Sequence, residues 1–130
     1  MFRFELETYK ENALIPITKS VRDAIKKSEV KDGLAVVYCP HTTAGITINE
    51  NADPDVAKDL ITAMNAIVPD VRFHHGEGNS PAHLKTLLTG ASVTIPISDG
   101  EPVLGIWQGV YFCEYDGPRQ RKYFVQIVSG

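Results

Sequence analysis

The chain has 130 residues, of which 43% are hydrophobic and 22% are charged. This length is enough for one domain with a buried core, and this composition excludes a wholly disordered chain. The formal net charge of −3 lacks the basic excess of a nucleic-acid-binding protein, and no apolar run approaches the length of a membrane span. The totals therefore predict a single domain over residues 1–130 with neither a nucleic-acid nor a membrane partner.

Two further features of the sequence favour a cytoplasmic protein. The N-terminal segment MFRFELETYK alternates polar and apolar residues and has no apolar stretch of the kind that signal peptides carry. Cys39 and Cys113 lie in apolar, strand-like runs. For cysteines in such runs, two buried free thiols in a reducing compartment are commoner than a disulfide bond. A disulfide stays the alternative.

The predicted elements begin with a half-buried strand over Phe2–Leu6, where apolar and charged residues alternate. Helical spacing then starts at Thr18, an expected N-cap, and continues to Ser28. A continuous apolar run over 33–39 predicts a fully buried strand, and a shorter strand is expected over 46–48.

The second predicted helix has clear signals at both ends. Asp53 and Pro54 are a typical N-cap and first helical residue, and Pro69 ends the segment. Apolar residues recur along it at helical spacing, so one face is expected to pack against the core. These residues are Val56, Leu60, Ala63, Met64 and Ile67.

The C-terminal half is predicted as a loop over 68–80, a short helix and a group of strands. Ser80 and Pro81 repeat the cap-and-proline signal for a helix that ends near Leu88. A hairpin signal at Asp99-Gly100 joins the first two strands. Because no helix separates these strands, the sheet is expected to be antiparallel and the fold class α+β. The strand-like segments are 92–97, 103–108, 109–115 and 121–128.

Polar residues are densest in two regions, 41–53 and 74–83, which contain all four histidines. Imidazole is the commonest side-chain metal ligand. His83 in the first turn of the third helix is expected to point back towards the loop that holds His75, and His41 follows a buried strand. We expect these three to hold a divalent metal, zinc or magnesium, with an open position for water or substrate. Ordinary hydrogen bonds in a polar loop are the alternative.

Acidic and amide residues in the same regions are the candidate catalytic groups beside His41. Asn49 and Glu50 end an apolar strand together with Asn51, where they either orient a ligand or cap the strand. Glu50 or Glu77 would act as general base to a metal-bound water. For Asp53 we favour the N-cap role over general-base work.

A phosphate-binding role is predicted at two places. Asn79 and Ser80 follow a glycine-containing loop and open a helix, whose first N–H groups attract anions. Pro81 removes one of those donors, and a flexible turn is the alternative. Arg119 and Arg121 follow the last turn, and arginine can hold a phosphate through two hydrogen bonds.

Three blocks of the sequence closely resemble the signature blocks of the YjbQ-like family, often described as secondary thiamine-phosphate synthase. They are HTTAGITINENADPDV (His41–Val56), HGEGNSPAHLKTLLTG (His75–Gly90) and LGIWQGVYFCEYDGPR (Leu104–Arg119). The resemblance implies an α+β, sandwich-like fold of largely antiparallel sheets with about three helices. It also implies a homotrimer with sites near the subunit boundaries.

The resemblance also assigns site residues. His41 matches the histidine of the family's H-T-[TS] block, and His83 matches the histidine before its helix. This chain has His74 and His75 where the family pattern shows one histidine, and counting back from Glu77 favours His75. The N-E-N-x-D-P block is matched by Asn49, Glu50, Asn51 and Asp53.

The activity that the resemblance implies joins hydroxymethylpyrimidine diphosphate to thiazole phosphate, with loss of pyrophosphate. A chain of 130 residues is too short for the (β/α)₈ barrel of the principal thiamine-phosphate synthases, which takes about 250 residues, so the site would be unrelated. Pyrophosphate must be neutralised by Mg²⁺ or basic residues, and no Asp-rich magnesium motif is present. A trimeric protein that binds a small anionic metabolite and a metal-dependent hydrolase are the alternatives.

Overall fold

A computed structural model describes all residues, 1–130. Three helices and eight strands form one α+β fold. Every strand pair is antiparallel, as predicted. In chain order the elements are β1 (Phe2–Glu7), β2 (Ala13–Pro16), α1 (Thr18–Ser28), β3 (Gly33–Tyr38), β4 (Ala44–Glu50), α2 (Pro54–Ala66), α3 (Ser80–Thr89), β5 (Ser92–Ser98), β6 (Glu101–Pro102), β7 (Gln108–Glu114) and β8 (Gln120–Ser129).

The strands form two sheets, one of five strands in the order β1-β8-β3-β5-β6 and one of three in the order β2-β7-β4. One apolar cluster draws side chains from both sheets and from α1. At most 1% of the surface is exposed for Val37 of the larger sheet, Phe112 of the smaller sheet and Ile25 of α1. The smaller sheet places the end of β4 beside the start of β7, where many of the predicted polar residues lie.

Several local predictions are confirmed. The Asp53 carboxylate accepts a hydrogen bond from the Asp55 N–H at 2.9 Å, as an N-cap does. The Asp99-Gly100 hairpin joins β5 to β6, and both residues have positive φ. Cys39 and Cys113 are buried free thiols. Short-range chemistry decides the helix cap and the hairpin, so the sequence alone suffices to find these two features.

Other elements differ from the prediction. The Thr18 hydroxyl accepts from the Val110 N–H of β7 at 2.9 Å and does not cap α1. The strand expected over 103–108 is wrong, because β6 ends at Pro102. The Val103 N–H still donates to the Pro96 carbonyl at 2.8 Å, but Pro96 has no N–H to return and the ladder stops there. The strand β2 was not predicted. Its four residues show little alternation of polar and apolar side chains, and they form a strand by pairing with β7.

The predicted core-facing stripe of α2 is confirmed only in part: no residue of α2 is fully buried, but Met64 packs against a small buried cluster that includes Tyr111 and Tyr115. Leu60 and Met64 are half-buried, and Ala63 and Ile67 are exposed. The helix lies on the outside of the smaller sheet, where it contacts β2. None of the three helices is long and apolar enough to cross a membrane.

Candidate functional site

The loop before α3 brings several predicted residues together at the start of that helix. The His75 and His83 rings lie 5.7 Å apart, edge to face. The His75 Nε2 atom is 3.9 Å from the Glu77 carboxylate. Ser80 is the first residue of the helix, and Asn79 before it makes no side-chain cap. These five residues form the α3 entrance cluster.

The turn between β7 and β8 completes this cluster from the other side. The Asn79 amide donates to the Asp116 carboxylate at 3.0 Å. Arg119 donates to the same carboxylate at 3.1 Å and to the Asp116 carbonyl at 2.9 Å. The Asn79 side-chain oxygen, Oδ1, is buried and has no hydrogen-bond partner.

His41 lies elsewhere, in the loop between β3 and β4, and is half-buried. Its Nε2 atom accepts a hydrogen bond from the Lys122 N–H at 3.0 Å, and its ring meets the Phe112 ring edge-on at 6.5 Å. Burial, and then the positive charge of Arg121, lower the pKa of His41. The imidazole is therefore neutral near pH 7, and its proton is on Nδ1.

Arg121 is buried in an ion pair with Glu114. The guanidinium donates from Nε to the Glu114 carboxylate at 2.8 Å, and from Nη2 to that carboxylate and to the Thr43 hydroxyl at 2.9 Å. Thr8 donates to the same carboxylate at 2.6 Å. Burial raises the pKa of Glu114, but the hydrogen bonds from Arg121 and Thr8 outweigh it and hold the pKa below its ordinary value. Arg121 is thus bound to Glu114 in the interior of the protein, whereas Arg119 lies at the surface.

The polar residues at the end of β4 satisfy one another. The Asn49 side chain accepts from the Glu50 N–H at 2.8 Å. The Tyr111 hydroxyl lies 2.8 Å from the Glu50 carbonyl and 3.0 Å from the Asn51 side-chain oxygen. Within one chain these contacts correspond to the strand-capping alternative, with Asp53 as the cap of α2.

Lys85 is a candidate that the sequence analysis did not identify. It lies on α3 and is only 4% exposed. Its ammonium donates to the Asn12 side chain at 2.9 Å and to the Asn65 side chain, and it lies 6.0 Å from the centre of the Tyr115 ring. Burial lowers the pKa of Lys85, and the negative charge of Glu11 opposes this shift. Helical spacing alone gave no signal, because a lysine is most often a surface residue.

Two clefts meet around Tyr115. The polar cleft has a volume of about 180 Å³ and contains Glu77 and Asn79 of the α3 entrance cluster together with Lys85. The apolar cleft has a volume of about 190 Å³, and Asn49 lies on its wall. Its apolar lining is Leu14, Leu60, Ile61, Met64, Leu88 and Tyr115. Tyr115 is the one residue that lines both clefts.

The predicted three-histidine metal site does not form within one chain. His75 and His83 lie together, but His41 is held at Lys122 and Phe112 on another part of the fold. No group of three His, Cys, Asp or Glu side chains is arranged to hold a metal ion. The donor set of one chain therefore does not fit zinc or magnesium. The ends of β3 and β8 fix the position of His41, and spacing along the sequence could not predict that position.

The whole chain is similar to known proteins. A family model described as "UPF0047 protein YjbQ-like" matches residues 2–130. A UPF0047 protein of Methanocaldococcus jannaschii is 52% identical over 130 residues, which are 99% of this chain and 94% of that protein. The YugU protein of Bacillus subtilis is 44% identical over 127 residues, with 96% of each chain covered.

Solved structures agree with this result. The crystal structure of an uncharacterised conserved protein of the same family from Clostridium acetobutylicum has a TM-score of 0.96 and 51% identity, covering 98% of this chain and 100% of that one. A conserved hypothetical protein from Thermus thermophilus has a TM-score of 0.89 and 40% identity, covering 98% and 100%. The fold and the sequence thus agree, and the chain belongs to the UPF0047 YjbQ-like family.

Proposed function

We propose that the protein acts on a small phosphorylated heterocycle, as a thiamine-phosphate synthase-type transferase. The observation that carries this proposal is the pair of adjoining clefts around Tyr115. The apolar cleft has room for one planar ring, and the polar cleft offers the Lys85 ammonium to the attached phosphate. Arginine or lysine at a phosphate supplies the charge stabilisation that departure of pyrophosphate requires.

The roles of the chain's own groups follow from their positions. Lys85 lies deepest among the charged groups of the polar cleft and would orient the phosphate. Asn79 lies on the wall of the polar cleft, where it would help to position the ligand. Glu77 lines the polar cleft and His83 lies in the same α3 entrance cluster, where they would position the second reactant or move a proton. No step is assigned to a metal, because the residues of one chain do not fit one.

A transfer assay tests this proposal. Purified protein with hydroxymethylpyrimidine diphosphate, thiazole phosphate and Mg²⁺ is expected to form thiamine phosphate. His83→Ala and Asn79→Ala are each expected to lower the rate by at least ~10-fold, because each removes about one positioning hydrogen bond or ion contact. His74→Ala, in the same loop and exposed, is the matched control and should leave the rate unchanged.

The assay also separates the alternatives. Ligand-dependent thermal stabilisation without product would favour a metabolite-binding protein. Zinc-dependent hydrolysis of an unrelated small molecule would favour the hydrolase. Full activity in both variants would contradict the roles given to the α3 entrance cluster.

We further propose that the protein is a cytoplasmic homotrimer. Both cysteines are buried free thiols, as in reducing compartments. Large apolar side chains are left exposed, with Ile106 at 88% and Trp107 at 61%, and exposed apolar patches mark interaction sites. The Trp107 carbonyl accepts from the Asn51 N–H at 2.8 Å. The exposed residues therefore adjoin the predicted polar region, as expected for sites near subunit boundaries.

Sedimentation equilibrium tests the assembly. The mass is expected to be three times the 14.3 kDa of one chain. Trp107→Asp should shift the protein towards monomer, because it places a charge in an apolar contact. Tyr9→Asp, at an exposed aromatic residue outside this region, is the control. A monomeric wild-type protein would contradict the proposal.

A further inference from the structure

Lys85 is a buried cation with no carboxylate partner. The other buried cation, Arg121, is paired with Glu114, whereas Lys85 takes part in none of the chain's ion pairs. An ammonium has three N–H donors, and only two of them have protein acceptors, which are neutral amides. Glu11 acts on Lys85 only from beyond ion-pair distance, and a buried charge without a counter-charge in contact is costly. An anionic ligand group at Lys85 would remove that cost.

The charges around the polar cleft change sign from inside to outside. Lys85 and Tyr115 are buried, at 4% and 6% exposure. Glu11 and Glu77 line the same cleft and are exposed, and the Glu77 side chain is 76% accessible. Asp116 is already bound by Asn79 and Arg119. The cleft therefore has a positive interior and a negative rim.

We propose that this cleft binds a small zwitterion, with its phosphate or carboxylate group at Lys85 and its ammonium group at Glu11 and Glu77. The inference deepens the proposed function, because it concerns the same cleft. A simple anion, such as the phosphate of the proposed substrates, would engage only Lys85, and a simple cation would engage only the rim. A molecule with both charges engages both ends of the cleft, whose wall includes Asn79.

Calorimetric titration of the full chain with four small probes tests this charge pattern. Phosphoethanolamine carries both charges, ethyl phosphate only the negative one, and ethanolamine only the positive one; β-alanine replaces the phosphate with a carboxylate. We expect phosphoethanolamine to bind at least ~10-fold more tightly than ethyl phosphate, and ethanolamine to bind more weakly still. The comparison with β-alanine decides between phosphate and carboxylate.

Variants connect binding to the named residues. Lys85→Gln is expected to weaken phosphoethanolamine binding by at least ~10-fold. Lys58→Gln, at an exposed lysine of α2, is the matched control and should bind as the wild type does. The double variant Glu11→Gln/Glu77→Gln should bind phosphoethanolamine and ethyl phosphate equally. Both of its sites are exposed, so it decides the matter even where Lys85→Gln fails to fold.

Two results would overturn the inference: equal binding of the four probes by the wild type, or an unchanged preference in the double variant. Failure here is distinct from failure of the proposed function. Formation of thiamine phosphate without binding of phosphoethanolamine would overturn the zwitterion site alone. Binding of phosphoethanolamine without any transfer would overturn the transferase alone.

Discussion

Glu114→Gln is expected to lower the free energy of unfolding by about 3–5 kcal/mol, the cost of breaking a buried ion pair on one side. Glu114 is fully buried and Arg121 is 5% exposed. The carboxylate accepts hydrogen bonds from Arg121, from Thr8 and from the Asp116 N–H. Glutamine leaves the guanidinium buried without its counter-charge and presents an amide to donors that need an acceptor.

Urea denaturation followed by circular dichroism measures this loss. The double variant Glu114→Gln/Arg121→Met should be more stable than Glu114→Gln alone, because the uncompensated charge is gone. Arg119→Gln is the matched control, since it breaks the ion pair with Asp116 at a half-exposed arginine and should cost at most about 1 kcal/mol. A loss below ~1 kcal/mol in Glu114→Gln would contradict the account of this pair.

The ion pair of Glu114 and Arg121 makes the free energy of unfolding sensitive to acid. The folded pKa of Glu114 is lower than its ordinary value of 4.5, so the carboxylate stabilises the fold fully above that value. This contribution is lost as the pH falls through the lower, folded pKa, because the unfolded state binds the proton more readily. Glu114→Gln should therefore lose less stability than the wild type when the pH is lowered below 4.5.

Phe112→Ala is expected to lower the free energy of unfolding by about 3–5 kcal/mol, through lost apolar burial and the cavity left behind. Phe112 is fully buried. Its ring meets the Tyr123 ring at 6.0 Å and the His41 ring at 6.5 Å. The side chain thus connects the smaller sheet to the larger one, and little can relax into the space around it.

Thermal or urea unfolding of Phe112→Ala measures this effect. Phe112→Leu keeps much of the volume and should cost clearly less. Phe73→Ala is the matched control, because the same side chain is removed from an exposed loop position. It is expected to change stability by no more than about 0.5 kcal/mol. Equal losses in Phe112→Ala and Phe73→Ala would exclude a packed contact between the sheets at Phe112.

The candidate site was only partly predictable. Glu77 and Asn79 were identified from loop composition, and the structure places both in one cleft. Lys85 was missed because a lysine at a buried helical position looks like any surface lysine. Arg121 was expected to hold phosphate, but the structure pairs it with Glu114 across the turn between β7 and β8.

What the sequence by itself determined is local. The cap of α2 at Asp53, the Asp99-Gly100 hairpin and the antiparallel α+β class follow from interactions within a few residues and from strand periodicity. Family membership follows from long blocks of residues that chance does not produce. These features need no knowledge of which distant segments meet.

Only the tertiary structure decided which side chains share a site. It separated His41 from His75 and His83, buried Lys85 beside Asn12 and Asn65, and left Ala63 and Ile67 of the α2 stripe exposed. Each of these depends on the order and register of strands from different parts of the chain. A register shift of one residue reverses the face on which every side chain of a strand lies, and spacing along a sequence does not specify that register.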